Sequence, residues 1–341
     1  MRISWVTFGA HARAADGTLR SDVASVRYRV LIPSGAMPAD RCTHRLFSIT
    51  PTSPAECDEA ALDAHVIVFS KSFAPRNEIL AQRAKERGVR VLFDVCDNHY
   101  DHPQHARHYK TMSALADQVV CSTAEMASVA ANHSAAPPIV VEDPYEGRKG
   151  TARYAPASSL KLLWFGHPSN LDTLLAGLPD LVAYAQERAI SLTVLTEPTT
   201  ALIEVAAQIN GHFGAQFRLA VQPWSLAEQW RALGDCDAVI IPTLPGAKKQ
   251  VKSANRMIEA LWAGKPVVAQ PLPAYAPFGR WTPIAGDLAK GCRWLDAHGG
   301  EIPGLIAQAQ DYIAAKHSPA AIASQWASAI GVGATDPLSK D

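Results

Sequence analysis

Ala238-Val239-Ile240-Ile241, then Pro242-Thr243-Leu244-Pro245-Gly246-Ala247-Lys248-Lys249-Gln250-Val251-Lys252, then Ser253-Ala254-Asn255-Arg256-Met257-Ile258-Glu259-Ala260-Leu261-Trp262-Ala263-Gly264-Lys265-Pro266-Val267-Val268-Ala269 is the stretch that decides the fold. A short apolar run, a basic loop, a helix-period segment and a second apolar run follow one another. That order is a strand-helix-strand unit of a parallel sheet. The same alternation recurs along the whole chain. Expected strands in the first half are Ile3–Phe8, His65–Phe69, Val89–Phe93, Gln118–Cys121 and Ile139–Val141. In the second half they are Leu160–Phe165, Ser191–Leu195, Phe217–Val221, Ala238–Ile241 and Pro266–Ala269. Those of the first half lack clean in/out alternation, as expected of strands covered by helices on both faces.

Between the two series, residues 143–156 are rich in Pro, Gly and charge and read as a linker. At 341 residues the chain is long enough for two domains. The expected division is 1–154, 155–318, and a C-terminal helix with a polar tail over 319–341 that returns to the first domain. Hydrophobic residues form 48% of the chain and charged ones 19%, which excludes a disordered protein. Lys and Arg number 32 against 32 Asp and Glu, so nucleic acid is not an expected partner. Six scattered cysteines without a Cys-x-x-Cys pair point to reduced thiols in a cytoplasmic protein. No run approaches the ~20 apolar residues that cross a bilayer, so the expectation is a soluble protein, with peripheral contact at the inner face of a membrane as the alternative.

Ligands of open parallel sheets bind outside the carboxyl ends of strands, so the segments after each strand hold the candidates. In the loop and helix after Ile241, Ser253 is the expected cap. The amides of the next turn, that of Asn255 among them, would then face a ligand with the positive end of the helix dipole behind them. With Lys252 and Arg256 beside them, this suits a diphosphate. Glu259, deeper in the helix, suits sugar hydroxyls. The plainer alternative is a solvated basic loop and a surface Arg256–Glu259 pair.

The run Glu259–Ala269 resembles the Glu-Ala-x-Ala-x-Gly-x-Pro-Val-Val-Ala signature of group 1 GT-B glycosyltransferases. Cys236–Pro242 resembles the strand before it, and Leu162-Leu163-Trp164-Phe165-Gly166-His167 resembles the first strand and glycine turn of their donor domain. The resemblance implies two doubly wound Rossmann-like α/β domains facing across a cleft. It implies hexosyl transfer with retention, from a nucleotide sugar donor to a glycan or lipid-linked acceptor, as in polysaccharide biosynthesis, with no cofactor and no metal. Glu259 matches the second position of the family's Glu-x7-Glu motif and would hold the ribose, but Val251 stands at the first. His167 and Asn170 replace the customary basic pair and would line the donor phosphate or sugar.

In the first half, Gly9-Ala10-His11 resembles the family's glycine turn after the first strand, which places Gly9 near the donor. Asp97 and His99 follow the third strand and are candidate bases for an acceptor hydroxyl; a turn-capping role for Asp97 is the alternative. Arg27 and Arg29 read as a solvated pair or as contacts for an acidic acceptor. His99, His102, His105 and His108 read as a basic helix face, since steps of three residues drift around an α-helix and cannot converge on one metal. Trp224-Ser225 stands where the resemblance implies nucleobase binding through backbone groups; the alternative, preferred here, is that Trp224 staples its helix to the sheet. Rival readings of the chain are a nucleotide-sugar epimerase or phosphorylase, and a sugar-nucleotide binder without turnover.

Overall fold

A computed structural model describes residues 1–8, 11–15, 17–50 and 52–332. Gly9, one of the candidate donor contacts, lies outside the described residues. Contacts divide the chain into two units. The first comprises Met1–Pro144, Gln250–Ser253 and the segment from Lys316; the second comprises Tyr145–Lys249 and Ala254–Ala315.

The first unit is built on β1 (Arg2–Thr7), the small β2 (Ala12–Arg13) and β3 (Leu19–Arg20) ladder, β4 (Thr43–Phe47), β5 (Val66–Ser70), β6 (Arg90–Val95), β7 (Gln118–Cys121) and β8 (Ile139–Val140). Its main sheet runs β4-β1-β5-β6-β7-β8 with every pairing parallel. β4 is an edge strand of mixed composition, Thr-His-Arg-Leu-Phe, and is only partly buried. It therefore lacks the continuous apolar run by which its neighbours are recognised. β5 is buried along its whole length, and β6 from Val91 onward.

One face of this sheet is covered by the helix Pro319–Ile330, whose Trp326 meets Trp5 edge-on at 5.1 Å. Ser318 caps that helix by accepting from the Ala321 amide, and Gly331 ends it at φ +83°. The segment Gln250–Ser253, expected with the second domain, groups with the first unit instead. The Thr123 hydroxyl donates to Val251 O at 3.0 Å, and Val251 packs into the apolar cluster around β5 and β6.

The second unit carries β9 (Leu160–Phe165), β10 (Ile190–Thr196), β11 (Phe217–Pro223), β12 (Ala238–Ile241) and β13 (Val267–Ala269), again all parallel, in the order β11-β10-β9-β12-β13. The order reverses at β9, so β9 and β12 flank the switch point where α/β sheets take ligands. In the first unit β1 and β5 flank the equivalent point.

The expected linker does not hang free. Tyr145 stacks on Trp262 at 3.9 Å, and the Gly150 amide donates to Trp262 O at 2.8 Å. A Cβ on Gly150 would come within 2.1 Å of Ala263 O, and one on Gly264, at φ +81°, within 2.2 Å of Thr151 O. These two glycines let the backbones touch. Gln310 closes the joint by donating to Gly150 O and Trp262 O. The end of the helix Asn255–Trp262 is thereby fixed.

Candidate functional site

In the second unit the helix Asn255–Trp262 delivers the main candidates. Every residue from Met257 to Trp262 is buried, so the helix is covered on all sides beyond its first two residues, while Arg256 near its start is partly exposed. The cap differs from expectation: Ala254 occupies it with no side-chain cap bond, and Ser253 lies one residue earlier. The preceding loop also contains a helical turn, Ala247–Gln250.

Arg256 reaches the carboxyl end of β9, where its Nη1 donates to Phe165 O at 3.4 Å. Gly166 lies beside it; a Cβ there would press on the Trp164 ring at 3.3 Å and touch that nitrogen at an ordinary 3.6 Å. Tyr275 closes the other side. Burial pushes its phenol upward, while the Arg256 charge and a hydrogen bond from that side chain pull it down. Arg256 and Gly166, named separately from the sequence, thus meet at the switch point.

Glu259 is 3% exposed, so the surface pair with Arg256 is not what forms. Its Oε1 accepts from Gln229 Nε2 at 3.1 Å, and Gln229 Oε1 accepts from the Trp224 indole N–H at 2.8 Å. An acceptor carboxylate in this setting suits hydroxyl donors on a ligand. His167 is exposed, and its Nδ1 accepts from the Ser169 amide at 3.2 Å, capping the turn Pro168–Asn170. Asn170 Oδ1 accepts from Lys249 Nζ at 3.1 Å, and the same ammonium meets Asp172 at 3.2 Å. Lys249, read from the sequence only as part of a basic loop, therefore supplies a cation close to β9.

In the first unit the ends of β5 and β6 carry a second charged set. Lys71, with φ +50°, is the one non-glycine residue of positive φ among the described residues, a conformation that stores a small strain. Its ammonium lies 2.8 Å from Asp97 Oδ2, and Lys252 pairs with Asp97 Oδ1. Burial pushes the Asp97 carboxyl up, but Lys252 and Lys71 outweigh it and hold the group well below the usual carboxylate range. A carboxylate so stabilised is a weaker base than a free one. Lys71 is not singled out by the sequence reading, although its place as the first residue past an apolar strand is a signal that could have found it.

His99 is packed among Phe73 at 5.2 Å, Tyr109 at 5.0 Å and His102 at 5.5 Å. Neither of its ring nitrogens has a hydrogen-bond partner. Burial drives its pKa down to about 4, with Asp97 pulling the other way. The imidazole is therefore neutral at pH 7 and, like Asp97, weakly basic.

The four histidines do not form a helix face. The helix here is Ala106–Leu115, and His99, His102 and His105 lie before its first residue. His102 and His105 stack at 4.5 Å. His108 turns away to Glu78, 2.7 Å, and Ser72, 3.3 Å. Among the described residues no group of His, Cys, Asp and Glu has the arrangement to hold a metal ion.

Arg29 is buried rather than solvated. It donates to Asp94 from Nε at 3.1 Å and from Nη2 at 2.7 Å, to Asp143 at 2.9 Å and to Val141 O at 2.5 Å. It leaves the backbone within a π-helical turn, Arg27–Leu31, that interrupts the helical segment from Ala24 to Ala36. Such turns widen a helix by one residue and re-aim a side chain.

No sequence-family model and no curated protein matches the chain. Solved structures do. HepE of Anabaena, in complex with UDP, aligns with a TM-score of 0.68 at 14% identity over 97% of this chain and 100% of that one. A glycosyltransferase of Rickettsia africae aligns at 0.69 and 11% identity, over 98% and 99%. A trehalose-6-phosphate protein of E. coli bound with UDP-2-fluoro glucose aligns at 0.65 and 13%, over 97% and 99%. The chain has the α/β fold of the GT-B glycosyltransferases, matched along nearly its full length.

Proposed function

We propose that this protein transfers a sugar from a nucleotide diphosphate sugar to an acceptor hydroxyl. The observation that carries the reading is the meeting of Arg256, Gly166 and the start of the helix Asn255–Trp262 at the β9 end, with buried Glu259 one turn further along. A diphosphate placed there receives a guanidinium and the positive end of a helix dipole, and hydroxyls of the ribose meet the Glu259 carboxylate. Lys252, Ser253, Asn255, His167 and Asn170 complete the donor contacts in this proposal. The UDP and UDP-sugar held by the Anabaena and E. coli structures support a uridine donor.

Hexosyl transfer with retention is the finer form of the proposal. Asp97 and His99 are both weak bases, so neither is suited to deprotonate an acceptor in a back-side attack. On the front-side route the bond from the sugar's C1 to the diphosphate oxygen breaks while C1 bonds to the acceptor oxygen. The hydroxyl proton then passes to the departing diphosphate. Cationic side chains rather than a metal would stabilise the charge that builds there. The acceptor is proposed to be a saccharide or lipid-linked glycan on the cytoplasmic side. In keeping with this, all six cysteines are free thiols, and no helix among the described residues is long and apolar enough to cross a membrane.

The test is a thermal-shift panel of nucleoside diphosphates and their sugars, with and without EDTA. Saturation at a hundred times Kd stabilises a binder by about 2.7 kcal/mol, so UDP and a UDP-hexose should each raise Tm by several degrees, equally with EDTA. A flat panel would sink the reading. A second reading, binding without turnover, is favoured by Val251: an apolar residue packed in the core stands where the first motif glutamate is expected. Release of UDP that depends on added acceptor decides against it.

A further inference from the structure

The buried amide of Gln229 links Trp224 to Glu259 in a chain of fixed polarity. Gln229 is 3% exposed and shares the inward face of the helix Leu226–Asp235 with Ala232 and Leu233. An indole N–H can only donate, so the Gln229 atom facing Trp224 Nε1 at 2.8 Å must be the carbonyl oxygen. The amide N–H then faces Glu259 Oε1 at 3.1 Å, and an ionised carboxylate can only accept. Reversing the amide would break both bonds, so its orientation follows from the chemistry of its neighbours. The chain is anchored at its far end, where the Trp224 backbone amide donates to Thr196 O, at 3.0 Å, at the end of β10.

We infer that Gln229 is a positioning residue for the donor: it fixes the rotation of the Glu259 carboxylate so that this group meets the ribose hydroxyls. The inference rests on Glu259 holding the ribose, as proposed for the donor site. A glutamine within the apolar stripe of a helix has another use, as plain filling of the core. That use would not distinguish one nucleotide from another.

The test is calorimetric titration of UDP, 2′-deoxy-UDP and 3′-deoxy-UDP into the wild-type protein, Gln229→Leu and Gln229→Glu. The wild-type protein should bind UDP more tightly than the deoxy forms. Gln229→Leu should weaken UDP binding about tenfold and the deoxy forms little, because the lost contribution is the aim of one hydrogen-bond acceptor. Gln229→Glu keeps the shape and sets two carboxylates together. Near pH 8 it should bind like Gln229→Leu, and near pH 5.5 a proton shared by the pair should restore UDP affinity relative to the wild-type protein.

Equal weakening of all three ligands, or unchanged UDP affinity in Gln229→Leu, would show a packing role and overturn the inference while leaving the donor reading intact. Wild-type protein that binds UDP no better than its deoxy forms removes the ribose role of Glu259, and this inference with it. Wild-type protein that binds no UDP overturns both. Should Gln229→Leu fail to fold, the pH response of Gln229→Glu decides alone.

Discussion

Asp94 and Asp97 stand three residues apart, at the end of β6 and just past it, and each holds cations, yet they do different work. Asp94 is fully buried and shares Arg29 with Asp143, while Ser70 donates to its second oxygen at 2.8 Å. That set carries one positive and two negative charges and is sealed from water. Asp97 holds Lys71 and Lys252, so its set carries two positive charges and one negative, and the Lys252 side chain is 41% exposed. A sealed set with every partner in place is a joint of the fold. An exposed set with a surplus cation can still attract an anion.

The largest expected effect breaks the first of these. Arg29→Met would leave two buried carboxylates without their cation, and breaking a buried charge pair from one side costs about 3–5 kcal/mol. Asp94→Asn should cost less, because Arg29 would keep Asp143. Denaturant titration of both variants checks the order. If Asp94→Asn were the more damaging of the two, Arg29 would not be the single cation on which both carboxylates depend.

Next in size is the exposed set. A partly exposed ion pair stabilises by about 0–1 kcal/mol, so Lys252→Ala should leave the melting temperature of the free protein close to that of the wild type. If Lys252 also meets the donor's diphosphate, as proposed, UDP affinity should fall by about tenfold or more, the range of a charge-assisted hydrogen bond. Unchanged affinity would assign Lys252 to Asp97 alone and make the two sets alike in function.

How much of this could be read from the sequence follows from the range of the interactions involved. The strands and the helix Asn255–Trp262 are legible because burial on both sheet faces writes itself into continuous apolar runs. β4 is not, because an edge strand buries too little. For the candidate site, Arg256, Gly166 and Glu259 are legible from their place after a strand and from the resemblance around Glu259–Ala269. Their partners are not: Gln229 and Tyr275 come from other elements, and only the fold brings them in. Gln229 does leave a trace, as a polar residue in line with Ala232 and Leu233 on one helix face. The reading of Arg29 as solvated fails because spacing along a regular helix says nothing about a π turn.

The smallest expected effect sharpens the contrast between charged and uncharged groups in the first unit. His99 titrates at about 4 in the folded protein, chiefly because burial disfavours its cation, and near 6.5 in an unfolded chain. Between those values the unfolded chain takes up a proton that the folded protein refuses, so stability is full above about pH 6.5 and falls as the pH drops toward 4. His11, His44 and His105 are also shifted downward by burial and add to the same slope. Asp97 adds to the loss only toward the acid end of this window, where an unfolded carboxyl, at about 3.9, begins to take up a proton that the folded one refuses. His99→Phe keeps a ring among Phe73 and Tyr109 and removes the proton, so its melting temperature should fall less steeply over that interval. A slope identical to that of the wild-type protein would mean that His99 is charged in the fold, and that the Asp97 set beside it is more exposed to water than its geometry indicates.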